Sequence, residues 1–143
     1  MSSVREAWAA LVAQRILIKD GPYGTEIQAR RLGEAEFRGA LDLGRDQKGN
    51  NDLLNLTRPD VVRAIAQAYA EAGADLLATN TFNANAISQS DYGAQALVGD
   101  INREAARIVR AVADAASAAD GRPRLVASTV GPTNRTLSLS PRV

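Results

Sequence analysis

Three short apolar runs, each passing directly into polar residues and separated by stretches of helical period, constrain this chain more than any other feature. The runs are Ile16-Leu17-Ile18-Lys19, Asp75 to Ala78, and Leu125 to Val130. None alternates apolar with polar, so each reads as a strand covered on both faces. Between them lie two helical patterns. Over 59–72, Val61, Ile65, Ala68, Tyr69 and Ala72 share one face. Over 94–119, Leu97, Ile101, Ala105, Ile108, Val112 and Ala115 recur at spacings of three and four. The order is strand, helix, loop, helix, strand, helix, strand. It predicts an α/β fold, parallel strands with helical crossovers.

The boundaries carry their own chemistry. Thr57 can cap the helix over 59–72, with Asp60 three residues on as in a capping box and Pro59 in the first turn. Gly73 stops that helix, and Gly121 with Pro123 ends the longer one. Val4, Trp8, Leu11 and Val12 predict a short amphipathic helix over 4–14, packed on the core near the first strand. Asp20-Gly21-Pro22 ends that strand. A helix over 24–31 follows, with Thr25 as a possible cap. Residues 33–56 show no period and hold Gly33, Gly39, Gly44 and Gly49. They are expected to form a long, functional loop with brief helical turns.

Composition removes several classes of function. With 143 residues, 45% hydrophobic and 23% charged, the chain is that of a soluble globular domain. A net charge of +1 gives no electrostatic case for nucleic acid or an anionic membrane. There is no cysteine and no histidine, so a zinc site built from those ligands cannot come from this chain alone. No apolar run approaches the roughly 20 residues of a membrane span. Arg5, Glu6 and Arg15 interrupt the first residues, which do not form a signal peptide. A cytoplasmic location is expected.

All three strands end in polar residues: Asp20; Thr79, Asn80 and Thr81; then Thr133, Asn134 and Arg135 after a Gly-Pro turn. In parallel α/β folds ligands bind at the carboxyl ends of strands. A pocket for a small polar molecule is therefore expected there. Duller readings stay open for each residue. Asp20 can simply organise a turn, Thr79 to Thr81 can cap the next helix, and Asn50-Asn51-Asp52 can be turn chemistry. Polarity at all three ends is what favours a pocket.

Four segments in this order, "DGPYGT", "KGNNDLL", "GADLLATNTF" and "GPTNRT", are similar to the homocysteine S-methyltransferase family. The second and fourth resemble its cobalamin-dependent branch, the methionine synthases, over the amino-terminal part of their homocysteine-binding domain. The resemblance runs from about Ile16 to the last residue. It implies the first three β/α units of a (β/α)₈ TIM barrel, an incomplete barrel, with residues 1–143 as a fragment of that domain. It also implies homocysteine as substrate, zinc and cobalamin as cofactors of the full-length enzyme, and folate- and cobalamin-binding domains as partners. The implied reaction is methyl transfer from methylcobalamin, recharged by methyltetrahydrofolate, to the zinc-bound thiolate of homocysteine. By position, Asp20 matches the residue that receives the homocysteine amino group, and Gly21 begins the turn that holds its carboxylate. Thr79, Asn80 and Thr81 match the pocket wall, and Asn134 its rim.

Two departures follow from the residues themselves. Pro22 stands where the family it resembles usually has glycine or alanine, and proline has no N–H. A carboxylate contact must then come from Gly21, Tyr23 or Gly24. Ala78 stands where many relatives carry glutamate. An eight-stranded barrel needs roughly 200 residues or more, so the chain is expected to lack the zinc ligands, to be inactive alone, and to expose strand edges that favour self-association. The alternatives are a non-catalytic module that binds a small amino acid and a self-assembling barrel fragment.

Overall fold

A buried strand flanked by two parallel neighbours organises the molecule, in a computed structural model that describes residues 4–135. The central strand, β1 (Leu76–Ala78), pairs in parallel with β2 (Leu125–Ala127) in the register Leu76 to Leu125, Leu77 to Val126 and Ala78 to Ala127. On its other side the first apolar run touches it through a parallel bridge between Lys19 and Leu76. The predicted parallel sheet is therefore present, but only two of its strands are regular. The Ile16–Lys19 run contributes one bridged residue, although the amides of Asp75 and Leu76 donate to the Ile18 carbonyl and the Asp20 amide donates to Leu76. Ile16 and Ile18 are 88% and 61% exposed, so this run is a bare edge and not a covered strand. The third strand ends at Ala127, short of the expected Val130.

Seven α-helices accompany this sheet among the described residues: α1 (Val4–Val12), α2 (Tyr23–Ala29), α3 (Glu34–Arg38), α4 (Leu54–Thr57), α5 (Pro59–Glu71), α6 (Ala86–Gln89) and α7 (Val98–Asp120). Packing of α5 along α7 makes the main core, in which Val62, Ile65, Ala66, Ile108 and Val109 close over Leu77. Leu77 is fully buried, worth about 1.5–3 kcal/mol against exposure. A smaller cluster of Leu53, Ala84 and Ile101 seats the long loop on the start of α7.

Several boundaries differ from the sequence reading for identifiable reasons. Thr57 does not cap α5, because it is the last residue of α4 and its hydroxyl donates to the Leu53 carbonyl. Asp60 turns to Arg58 instead of completing a capping box. Thr25 lies inside α2, whose cap position is Pro22. The buried face of α5 is Val61, Val62, Ile65, Ala66 and Ala70, which leaves Ala68 and Ala72 exposed. In so alanine-rich a helix the apolar period does not fix the rotation. Helix α1 buries none of its residues, so its expected packing on the core is absent. Instead Arg15, just beyond it, forks onto Asp75 through two bonds of 2.6 Å. The part of the fourth motif at Thr136, and all beyond it, lies outside the described residues.

Candidate functional site

Because the strands are parallel, their carboxyl ends open on one side, and a cleft of about 400 Å³ lies there. Its wall includes Gly21, Tyr23, Asp52, Thr79, Asn80 and Thr81. Four of the six residues expected to bind substrate, Gly21, Thr79, Asn80 and Thr81, thus share one cavity. Asp20 sits beside it with its side chain fully buried. Its Oδ2 accepts the Ala78 N–H at 2.7 Å, and its Oδ1 faces the Lys19 ammonium at 2.8 Å. Asp20 therefore ties the first apolar run to β1. Asn134 is elsewhere: it is exposed, is absent from the wall, and its amide donates to Asp91.

The third strand end enters the cleft through Thr129, which the sequence reading did not single out. The Thr129 amide donates to Thr79 Oγ1 at 3.1 Å, and the Thr81 hydroxyl donates to the Thr129 carbonyl at 2.8 Å. Thr79 and Thr81 hydroxyls are 2.6 Å apart. Since Thr81 spends its proton on the carbonyl, Thr79 must donate to Thr81. The result is a closed ring of hydrogen bonds that clamps the ends of β1 and β2 together. None of these residues caps α6, whose cap is Asn85 accepting from the Ser88 amide at 2.9 Å.

The long loop reaches the same cleft and is locked there by amide side chains. Asn50 and Gln89 exchange two hydrogen bonds of 2.9 and 3.0 Å in full burial. Asn55 donates to the carbonyls of Asp52 and Asn80, both at 2.7 Å, while the Asn80 amide donates to the Asn51 carbonyl at 2.7 Å. Asn80 is thus a latch between the strand end and the loop. The spacing of asparagines on both sides was visible in the sequence; their mutual pairing was not.

Two wall residues stand apart: a buried carboxylate with no cation beside it among the described residues, and a buried hydroxyl with no hydrogen-bond partner. Asp52 is 3% exposed, its Oδ1 accepts the Asn83 amide at 2.9 Å, and no cation pairs with it among the described residues. Burial pushes its carboxyl up to about 6. Tyr23 is 8% exposed and its hydroxyl is buried with no hydrogen-bond partner. Burial, with the Asp20 charge nearby, raises its pKa. In the sequence Asp52 reads equally as turn chemistry or as a binding residue. Its position directly before Leu53-Leu54, which bury completely, was the available signal that the carboxylate would be drawn inward.

Among the described residues no group of three or more histidines, cysteines, aspartates or glutamates could hold a metal ion, and the sequence contains neither histidine nor cysteine. The cleft offers hydrogen-bond donors, acceptors and one unbalanced carboxylate, a set suited to binding and orienting a small polar molecule. No helix among the described residues is long and apolar enough to cross a membrane.

A family model described as homocysteine S-methyltransferase matches residues 17–142. Two crystal structures of the homocysteine methyltransferase MmuM from Escherichia coli are similar in fold. The metallated form has a TM-score of 0.65 at 22% identity, over 86% of this chain and 40% of that one. The oxidised form has a TM-score of 0.67 at 24% identity, over 87% of this chain and 40% of that one. The chain therefore spans about 40% of the length of these structures.

Proposed function

This chain belongs to the homocysteine S-methyltransferase family, and we propose that its strand-end cleft holds the amino-acid end of homocysteine. The observation that carries the reading is convergence: Gly21, Thr79, Asn80 and Thr81 line one cleft, with Asp20 beside it. In this reading Asp20 and the turn at Gly21 receive the amino and carboxylate groups. The threonine ring and Asn80 keep the wall rigid, so that little ordering is required on binding.

The finer assignment is to the cobalamin-dependent branch, the methionine synthases, on the strength of "KGNNDLL" and "GPTNRT". The overall reaction would be methyl transfer from methylcobalamin to the homocysteine sulfur, in the cytoplasm, with folate- and cobalamin-binding domains as partners. The described part would supply the opening β/α units of a TIM barrel. The sequence has no cysteine or histidine to hold zinc, and no group among the described residues could hold a metal, so in this reading its residues serve recognition and the 143-residue chain alone transfers no methyl group.

Calorimetry with L-homocysteine and with 2-aminobutyrate, its thiol-free analogue, tests this. Binding of both compounds with comparable affinity and without turnover is the expected outcome, because the cleft holds the amino-acid end that they share; binding of neither would overturn the reading.

A further inference from the structure

We propose that Asp52 receives the ammonium group of the amino acid bound in the cleft and so determines specificity alongside Asp20. The inference rests on the cleft being an amino-acid site, and it concerns a residue outside the strand ends. Three observations point to it. Asp52 is in the wall and 3% exposed, so its charge has little access to bulk water. It is held in place, with Oδ1 on the Asn83 amide and its backbone carbonyl on the Asn55 amide. It also has no cationic partner among the described residues, whereas Asp20 already faces Lys19 at 2.8 Å.

A buried carboxylate without a counter-charge is costly, and a ligand that brings a positive charge recovers that cost on binding. Tyr23 completes the pair of unmatched groups. Its hydroxyl is buried and has no hydrogen-bond partner, so of the two groups the Asp52 carboxylate is the one that calls for a charge. An α-amino acid brings that charge as the ammonium on its α-carbon. A thiol, an ester or a neutral amide would leave Asp52 unbalanced.

The other titratable groups at the cleft are Lys19 and Tyr23 in its wall and Asp20 buried beside it, so the contribution of Asp52 has to be isolated by substitution. Its carboxyl, pushed up to about 6 by burial, is mostly ionised at pH 7 and mostly protonated at pH 5. The full chain is titrated calorimetrically with L-homocysteine and with 4-mercaptobutanoate, which lacks the amine. For homocysteine, the wild type is expected to bind about tenfold more weakly at pH 5 than at pH 7. Asp52→Asn is expected to bind about tenfold more weakly than wild type at pH 7 and to lose that pH dependence. Binding of 4-mercaptobutanoate should not weaken on substitution.

Wild-type affinity for homocysteine in Asp52→Asn at pH 7 would overturn the assignment while leaving the cleft reading intact. Failure of the wild type to bind homocysteine at either pH would remove both. A second measurement covers the case in which the variant does not fold. The Asp52 carboxyl carbon is followed by NMR in wild-type protein as pH is varied. Homocysteine should lower its midpoint and 4-mercaptobutanoate should not; an unchanged midpoint with homocysteine bound overturns the proposal.

Discussion

Asp75 is 2% exposed and is held by Arg15 at 2.6 Å and Arg122 at 3.2 Å, with the Ile18 amide as a further donor. Asp52 is equally buried and faces no cation among the described residues. The two carboxyls are therefore displaced in opposite senses. The Arg15 guanidinium holds Asp75 well below the usual carboxylate range, whereas burial lifts Asp52 to about 6. For Asp75 the folded value lies below the unfolded one, so its stabilisation is present above about pH 4 and disappears as pH falls through the folded value. For Asp52 the folded state holds more protons than the unfolded state between about pH 4 and pH 6, so stability declines as pH rises through that window. Asp75→Asn should lose about 2 kcal/mol at pH 7, the scale of hydrogen bonds to a charged group, and show a flatter acid limb. Asp52→Asn should gain stability on the order of 2 kcal/mol above pH 6 while losing ligand affinity, as a residue kept for function would. Urea unfolding followed by circular dichroism from pH 3 to 7.5 measures both. A destabilised Asp52→Asn at pH 7 would show that its charge is compensated in the folded chain.

At the level of elements, α5 meets the first turn through one tight contact. A Cβ on Gly21 would lie 2.7 Å from Tyr69 Oη and 2.8 Å from its ring, and that hydroxyl donates to the Pro22 carbonyl at 3.2 Å. Gly21→Ala should therefore cost about 1–3 kcal/mol through overpacking. In a Tyr69→Ala background the same change should cost markedly less, since the obstructing ring is gone. Chemical denaturation of the four variants gives the coupling directly, and additive effects would refute the contact. Helix α5 itself was legible in the sequence to within a residue, because Pro59 and Gly73 bracket a strong period. Its cap was not, since nothing local shows that Thr57 closes a preceding turn. The first strand was overread for a related reason: a run such as Ile16-Leu17-Ile18 specifies extended backbone, but a regular ladder also needs several residues in register with the neighbour, and here only Lys19 is bridged, to Leu76. In the site, Gly21, Thr79, Asn80 and Thr81 could be found because strand ends are marked by an abrupt change of polarity. Thr129 and Asp52 join them only through long-range hydrogen bonds, separated by 50 and 31 positions from their partners Thr79 and Asn83.

For the molecule as a whole, the order first run, β1, β2 leaves the outer side of the first run and of β2 without a strand partner among the described residues. Apolar side chains stand bare on the first run, with Ile16 88% exposed and Ile18 61%. Unpaired backbone beside exposed β-branched side chains is a template for pairing with another chain, and no charge on the Ile16–Ile18 run itself opposes it. Lys19 does not guard the edge, since its ammonium is turned onto Asp20. The chain should therefore self-associate at concentrations on the order of tens of micromolar, with the first run as a contact. Sedimentation equilibrium should show the apparent mass rising with concentration. Ile16→Lys with Ile18→Lys should restore the monomer by placing like charges at the contact. Neither residue lines the cleft, so homocysteine affinity should be unchanged in that variant. A wild-type chain that remains monomeric throughout this range would mean that the bare edge is tolerated. Loss of homocysteine binding in the folded lysine variant would instead tie the cleft to the assembly, because the first run carries Asp20 and Gly21 at its end.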